Sequence, residues 1–277
     1  DRVTGDPMAV NGDWDAVAGS LRFLHPLTAD RKHVIFAGVS QGFRAPNLSD
    51  LTRLDIARST EIETPVSDLE PEEYVAYEIG LKSRFERLVS QASYYYTTID
   101  KMILRAPTGR TVEGLDEVTK KNSGEGYIQG LELSETYNVT HEWSAWLAAS
   151  WMAGKVDAYA TSDAVIARDS IDYLMPPTAE VGARWQKGDG KYWVEVVGNG
   201  ALKADKLSAG DERNTQRIPP GGTPGYAVGS LRTGSKVMEN LALSLSVENL
   251  FDEDYRIHGS GVNEPGRNFI LTATTSF

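Results

Sequence analysis

The sequence lacks cysteine and long hydrophobic runs, and both absences limit the class of protein. None of its 277 residues is a cysteine, which fits a compartment where stray thiols are oxidised, although many cytosolic domains also lack cysteine. No run of about 18 apolar residues occurs, and the tryptophan-rich stretch at residues 141–154 is interrupted by His141, Glu142 and Ser144. A membrane-spanning helix is therefore excluded, and a chain of this kind could cross a membrane only as a β-barrel.

Excess positive charge and a signal peptide are also missing. The net charge of −11 at pH 7 argues against a nucleic-acid partner and against a basic anchor on a membrane surface. Residues 1–10 contain neither the basic start nor the apolar stretch of a signal peptide. If the protein is exported, we expect this sequence to be a mature or truncated piece.

Alternation of apolar and polar residues is the main pattern that the sequence does contain, and it is typical of β-strands. Helical periodicity is almost missing. Segments of roughly ten residues with this pattern are separated by turn residues. The eleven segments lie near residues 14–24, 32–42, 73–86, 88–104, 126–138, 142–156, 177–187, 191–203, 224–235, 240–249 and 267–277. The pattern predicts an all-β, antiparallel fold with about eleven strands.

The two faces of the predicted strands differ in a way that favours a barrel in lipid. A soluble sandwich fills its inner face with packed apolar side chains, whereas here one face of several strands is apolar and the other carries ionisable residues. We predict that the apolar set faces lipid and that the charged set faces a hydrated lumen. The apolar set is Leu243, Leu245 and Ala183, and the charged set is Glu180, Glu78 and Lys82.

Two tryptophans bracket one predicted strand. Trp143 and Trp151 share a face with Ala145, Leu147 and Ala149. A rise of about 3.3 Å per residue separates the two indoles by roughly 26 Å along the strand, close to the apolar band of about 25 Å between the aromatic girdles of an outer-membrane barrel. The spacing favours a lipid-facing strand, with burial in an ordinary core as the alternative.

The connections between the predicted strands alternate strictly between short and long. The long ones lie near residues 43–72, 105–125, 157–176, 204–223 and 250–266. Long structureless loops are uncommon in compact soluble domains, but barrels in the outer membrane have short periplasmic turns and long extracellular loops. We therefore expect all the long connections to be loops at one end of the sheet, outside the cell.

Four stretches carry a more specific signal. They are SQGFRAPNLSDL (residues 40–51), LEPEEYVAYEIGLKSRF (69–85), GYIQGLEL (126–133) and SVENLFDEDYRIHGSGVNEPGRNFILTATTSF (246–277). In this order, they resemble the landmarks of TonB-dependent outer-membrane receptors, and they look closest to the branch that takes up iron from haem, haemoglobin or transferrin. Thr275 departs from the bulky residue that the family usually has two positions before its terminal Phe, here Phe277.

The resemblance implies an antiparallel transmembrane β-barrel of roughly 22 strands around a plug, in the outer membrane of a Gram-negative-type bacterium. With about eleven strands, residues 1–277 would form the C-terminal half of such a barrel, and the plug domain is absent from this chain. The implied partners are outer-membrane lipid and a TonB complex that acts through the plug. The implied function is active import of scarce nutrients, with an iron complex, either a ferric siderophore or haem, as the leading substrate.

Two other functions stay open at this point: a passive porin-like or adhesive barrel without a plug, and a soluble all-β binding domain. An enzyme is not expected, because no two of the four histidines have metal-ligand spacing and no catalytic motif is present. We assign no catalytic residue, no metal ligand and no resident cofactor.

The candidate ligand-binding residues come from the stretches that carry the resemblance. They are Arg44, in the FRAP stretch, and Tyr255, Arg256 and His258, in the last long connection. The resemblance implies an axial histidine after FRAP in haem-uptake members, but residues 43–72 contain none. His258 is then the one extracellular imidazole available to haem, with Tyr255 or Arg256 beside it as a phenolate ligand or a propionate partner. The alternatives are that Arg44 is a structural landmark and that His258 is a solvated loop residue.

Overall fold

The all-β prediction is confirmed by a computed structural model, which describes residues 12–58, 61–159 and 165–276. These residues form one sheet and two short helices, α1 (Leu48–Thr52) and α2 (Ala209–Arg213). The strands are β1 (Ser20–Pro26), β2 (His33–Arg44), β3 (Asp55–Arg58), β4 (Glu61–Thr64), β5 (Glu72–Arg84), β6 (Leu88–Val112), β7 (Leu115–Asn138), β8 (Trp143–Tyr159), β9 (Ile166–Ser170), β10 (Thr178–Gln186), β11 (Tyr192–Ala201), β12 (Tyr226–Met238), β13 (Leu241–Glu248) and β14 (Asn268–Thr275).

Eleven of the described strands form the main path of the sheet, in the order β1-β2-β5-β6-β7-β8-β10-β11-β12-β13-β14. Each strand on this path pairs antiparallel with the next, so the eleven predicted segments correspond to the eleven strands of the path. The first strand is displaced, since it begins at Ser20 rather than near residue 14. Part of the predicted 1–277 barrel unit, residues 1–11, 59–60, 160–164 and 277, lies outside the described residues.

The long connections are not structureless, and one of them is not a loop. Residues 105–125 continue β6 and β7 as a paired hairpin whose tip is Glu113 and Gly114, with φ angles of 53° and 79°. The predicted connection contains Pro107 and Gly109, two residue types that are unfavourable inside a strand. The ladder instead accommodates them with a register shift between Pro107 and Thr111, because a proline can be tolerated where ladder pairing is interrupted.

Cross-strand pairing sorts side chains into rows on the two faces of the sheet. One row is entirely apolar: Ala145, Ala183, Val196, Leu231, Val247 and Phe269. The adjacent row on the opposite face is charged at Arg184, Glu195 and Arg232. The apolar face is open in the structure, where Val181 is 58% exposed and Leu271 is 75% exposed. Direct cross-strand contact explains why the alternation recurs in phase from strand to strand.

Aromatic residues form two belts on the apolar face. Near the short turns, Trp143 lies directly opposite Trp185. Toward the long connections, the rings of Tyr96 and Tyr127 stack with their centroids 5.3 Å apart, and Tyr77 lies opposite Tyr96. We call the strands between these belts the wall, and the end that carries the long connections the rim.

Buried apolar clusters lie at the rim, where connections pack against strands. One cluster consists of Leu51, Leu69 and Ile103, with Trp14 and Val66 against it. A second consists of Ile99, Val156 and Ile171. The rim is therefore a packed structure in its own right.

Candidate ligand-binding rim

The connection between β2 and β5 is fastened to the β6–β7 hairpin by several hydrogen bonds. Asn47 and Asp50 form a capping box that starts α1. β4 pairs parallel to β7, and the Asn122 side chain donates to the backbone carbonyls of Glu70 and Lys101 at 2.7 and 2.8 Å. These contacts hold the rim side chains in defined positions.

Arg44 forms hydrogen bonds with Glu72 and Asp50 at the rim, and we call these three side chains the polar knot. Its Nε and Nη2 donate to the two carboxylate oxygens of Glu72 at 2.7 and 2.6 Å, and its Nη1 donates to Asp50 Oδ2 at 2.7 Å. The Glu72 side chain is 3% exposed, and it also accepts hydrogen bonds from the Ile103 backbone amide, at 2.8 Å, and from the Tyr74 hydroxyl. Such a bidentate pair gives Arg44 a structural task, in keeping with the landmark alternative.

His258 is buried, contrary to the expectation of a solvated loop residue. It is 7% exposed, and its Nδ1 lies 2.9 Å from the Thr223 hydroxyl oxygen. Burial lowers the pKa of the His258 imidazole, with an opposing effect from the Asp211 carboxylate, so the neutral ring is favoured. Thr223 was absent from the sequence-derived site because it lies in the preceding connection.

Tyr255 and Arg256 also have partners within the rim. The Tyr255 ring packs against Tyr226 with a centroid distance of 4.6 Å, and Arg256 Nε donates to Asn263 Oδ1 at 3.0 Å. Seven strands of the main path separate β2, which carries Arg44, from β13, which precedes Tyr255. The structure thus places the four predicted residues in two separate groups, and their assignment as ligand contacts stays a prediction.

A second cluster of charges was not predicted from the sequence. The Glu63 side chain is 1% exposed, and Arg105 Nε lies 2.6 Å from its Oε2. Arg53 Nε lies 3.8 Å from the same oxygen, and Lys120 Nζ lies 3.8 Å from Oε1. Three cations therefore surround one buried carboxylate. No local pattern could reveal this cluster, because its members come from the end of α1, β4, β6 and β7.

Lys120 is perturbed by this environment. It lies on β7 beyond the tyrosine belt, on the outer part of the hairpin. Burial lowers the pKa of its ammonium group, and Arg105 and Arg53 lower it further, while Glu63 and Asp50 oppose the shift. Lys120 also lines a cavity at the rim, and a perturbed titratable group beside a cavity is a physical indication of a functional position.

The opposite face of the wall carries a ladder of ion pairs. Arg184 and Glu195 are 3.3 Å apart, Glu195 and Arg232 are 3.4 Å apart, and Arg232 and Glu248 are 3.7 Å apart. The Arg184 guanidinium also stacks on the Trp193 ring, at 4.2 Å from its centroid. The ladder makes this face suitable for contact with water or with polar partners.

The described parts of the chain contain neither a candidate metal centre nor a candidate membrane-spanning helix. Within the described parts of the chain, no group of three or more His, Cys, Asp or Glu side chains could hold a metal ion. The same residues include no helix that is long and apolar enough to cross a membrane.

A sheet with an apolar, aromatic-belted face, a charged opposite face and all long connections at one end is typical of the wall of an outer-membrane β-barrel. The family model described as TonB dependent receptor-like, beta-barrel, matches residues 3–250. The chain therefore belongs to the family of TonB-dependent receptor β-barrels.

Individual relatives support the same assignment. The chain is 28% identical to the catecholate siderophore receptor Fiu of Escherichia coli (strain K12), over 76% of this chain and 27% of Fiu. It is 24% identical to the vitamin B12 transporter BtuB of Photobacterium profundum, over 98% of this chain and 39% of that protein. These relatives give no support to the haem branch that the sequence stretches suggested.

Solved structures share the fold. The structure of the copper transporter OprC matches with a TM-score of 0.74 and 22% identity, over 94% of this chain and 38% of OprC. A ferric enterobactin receptor, PfeA, in complex with BCV-L6, matches with a TM-score of 0.71 and 20% identity, over 94% of this chain and 40% of PfeA. The chain thus spans about a quarter to two-fifths of the length of these relatives.

Proposed function

We propose that this chain is part of the barrel of an outer-membrane receptor that imports bulky metal complexes, with a ferric siderophore as the leading substrate. The apolar face lies against lipid, the charged face lines the lumen, and the rim lies outside the cell. The rest of the barrel, and a plug through which the TonB complex acts, would come from parts of the receptor outside these 277 residues.

The opposed rows on the two faces carry this proposal. A row of six apolar side chains runs across six strands, and the adjacent row on the other face contains Arg184, Glu195 and Arg232. Burying that charged face in an apolar core would be costly, whereas a hydrated lumen accepts it. The names of the relatives, which include siderophore and vitamin B12 receptors, support uptake through this lumen.

A siderophore is favoured over haem by the surroundings of His258. An axial ligand needs a ring nitrogen that can reach the iron, but the His258 side chain is only 7% exposed. Arg256, the candidate propionate partner, is engaged by Asn263. Haem binding at this histidine would require the connection after β13 to open.

The experiment is an uptake assay with the intact receptor that carries this chain. We expect radioactive iron, supplied as a ferric siderophore, to enter cells that express the receptor, and we expect loss of uptake when TonB is deleted. The assay would use a panel that includes a ferric catecholate, a ferric hydroxamate, haem and vitamin B12. If haem supports growth through the wild-type receptor and a His258→Ala variant with normal assembly loses that growth, haem replaces the ferric siderophore as the leading substrate.

A passive porin-like or adhesive barrel makes the opposite prediction. Its uptake, if any, would not depend on TonB and would not saturate. Uptake that survives deletion of TonB would therefore overturn the proposed function while leaving the barrel fold unaffected.

A further inference from the structure

A small cavity at the rim lies beside the cluster of charges around Glu63. Its volume is about 180 Å³, and it lies between the β6–β7 hairpin on one side and β8, β9 and the start of α2 on the other. Arg105 and Lys120 line the hairpin side. Both residues belong to the set of three cations that share the carboxylate of Glu63.

The two cations are unequally satisfied. Arg105 has a close partner, because its Nε lies 2.6 Å from Glu63 Oε2. Among the described residues, the carboxylate oxygen paired with Lys120 Nζ is Glu63 Oε1, at 3.8 Å, which is beyond a hydrogen bond. That buried oxygen has no hydrogen-bond partner among the described residues. Lys120, whose side chain is 18% exposed, is therefore a largely buried donor that lines the cavity with hydrogen-bonding capacity to spare.

The acidic residues on the opposite side already have donors. The Asp169 carboxylate accepts from the Ala209 backbone amide at 2.7 Å and from its neighbour Ser170. The Asp172 carboxylate accepts from the Ser208 hydroxyl. An anionic group in the cavity would therefore be held toward the hairpin side and away from these aspartates.

The remaining lining is aliphatic. It includes Met102, Leu104, Val156 and Ile171, and Val156 and Ile171 belong to a buried apolar cluster. Apolar walls with a few placed polar groups are typical of small-molecule sites. The volume is below the roughly 300–1,000 Å³ of a site for a whole drug-sized ligand, so the cavity fits one arm of a larger molecule.

We propose that this cavity is a subsite for one aromatic arm with anionic oxygens, such as a catecholate group, with the ring between the aliphatic side chains and the oxygens bound by Lys120 and Arg105. The inference rests on the proposed function and adds the substrate class. A phenolate or catecholate oxygen would supply a closer acceptor for Lys120 Nζ than Glu63 Oε1, which is 3.8 Å away. Lys120 and Arg105 are binding residues in this proposal, and Glu63 positions them.

The test compares two neighbouring lysines in the intact receptor. Lys120→Met keeps an unbranched side chain of similar length and removes the charge. Lys121→Met is the matched control, because Lys121 is exposed and does not line the cavity. Loss of one charge-assisted hydrogen bond predicts binding of a ferric catecholate that is about tenfold to a hundredfold weaker for Lys120→Met. Lys121→Met should bind like the wild type.

A second variant tests the cavity without changing its charge. Ala158→Phe fills the cavity from β8 without removing either cation, and it should weaken binding of the same complex. Heat-modifiable migration on a gel reports assembly of each variant. The probes are a ferric catecholate and, as a complex without aromatic oxygens, a ferric hydroxamate. If the wild-type receptor binds the hydroxamate, that binding should stay unchanged in all the variants.

The outcomes separate the subsite from the proposed function. If an assembled Lys120→Met receptor binds the ferric catecholate as tightly as the wild type, the subsite is wrong and the uptake proposal stands. If the wild type imports another complex in a TonB-dependent way but binds no catecholate, the subsite is likewise overturned. Absence of any TonB-dependent import by the wild type would contradict both the subsite and the proposed uptake function.

Discussion

The wall and the rim are built from the same strands but are held together in different ways. In the wall, neighbouring strands place like side chains side by side, as in the apolar row that contains Ala183 and Leu231. In the rim, ion pairs with buried carboxylates join residues that are far apart in the sequence, such as Arg44 with Glu72 and Arg105 with Glu63. The wall depends on a repeated local pattern, whereas the rim depends on individual contacts.

This difference determines where a substitution should act. A change in the wall meets either lipid or the lumen, so its cost depends on the face. A change in the rim removes a particular buried partner, so its cost depends on that residue's contacts.

The largest effect is expected from a charge on the outer face of the wall. Leu245 lies near the middle of β13 and is 41% exposed on the apolar face, so Leu245→Arg should lower the free energy of unfolding by about 2–4 kcal/mol. Ser244 is the neighbouring residue on the luminal face, and Ser244→Arg should cost much less. Urea unfolding of the receptor in lipid vesicles measures both. Equal losses for the two variants would mean that the assigned faces are wrong.

The wall could be predicted from the sequence because its signal is local. Alternation of period two located ten of the eleven strands of the main path, although β6 and β7 extend beyond the predicted segments. It also separated Leu245 from Ser244. The first strand begins later than the predicted segment near 14–24, because its pairing with β2 starts only at Ser20.

The rim could not be predicted in the same way. Residues 105–125 were predicted to be a loop, but cross-strand pairing of β6 with β7 continues through them. The pairing of Glu63 with Arg105 and Lys120 depends on β4 lying parallel to β7, and no periodicity reports that arrangement. His258 was recognised as a candidate, but its burial against Thr223 required the fold of two separate connections.

A medium effect is expected from the polar knot of the rim. Glu72→Gln removes the carboxylate that binds Arg44 in a bidentate way, and Arg44 is 39% exposed, so water offsets part of the loss. We expect a destabilisation of about 1–3 kcal/mol, confined to α1 and the connection around it. Hydrogen exchange should show faster exchange there and unchanged exchange in β10–β13.

The neighbouring residue supplies the control for this change. Glu73 pairs with Lys101 at 2.9 Å, but both side chains are nearly half exposed, so Glu73→Gln should cost less than about 1 kcal/mol. If Glu72→Gln also accelerates exchange throughout the wall, the rim and the wall unfold as one unit and the comparison fails.

The smallest effect is expected from the ladder on the luminal face, which tests whether charge pairing in the wall differs from charge pairing in the rim. Glu195 is shared by Arg184 and Arg232, whose side chains are 32% and 39% exposed. Pairs of this exposure are worth about 0–1 kcal/mol. Because Arg184 also stacks on Trp193, a double-mutant cycle of Arg184→Gln and Glu195→Gln is needed to isolate the pair. The coupling should decrease as the salt concentration rises, since exposed pairs are screened by ions. A coupling as large as the loss from Glu72→Gln, and insensitive to salt, would show that Glu195 is shielded from water as the Glu72 carboxylate is.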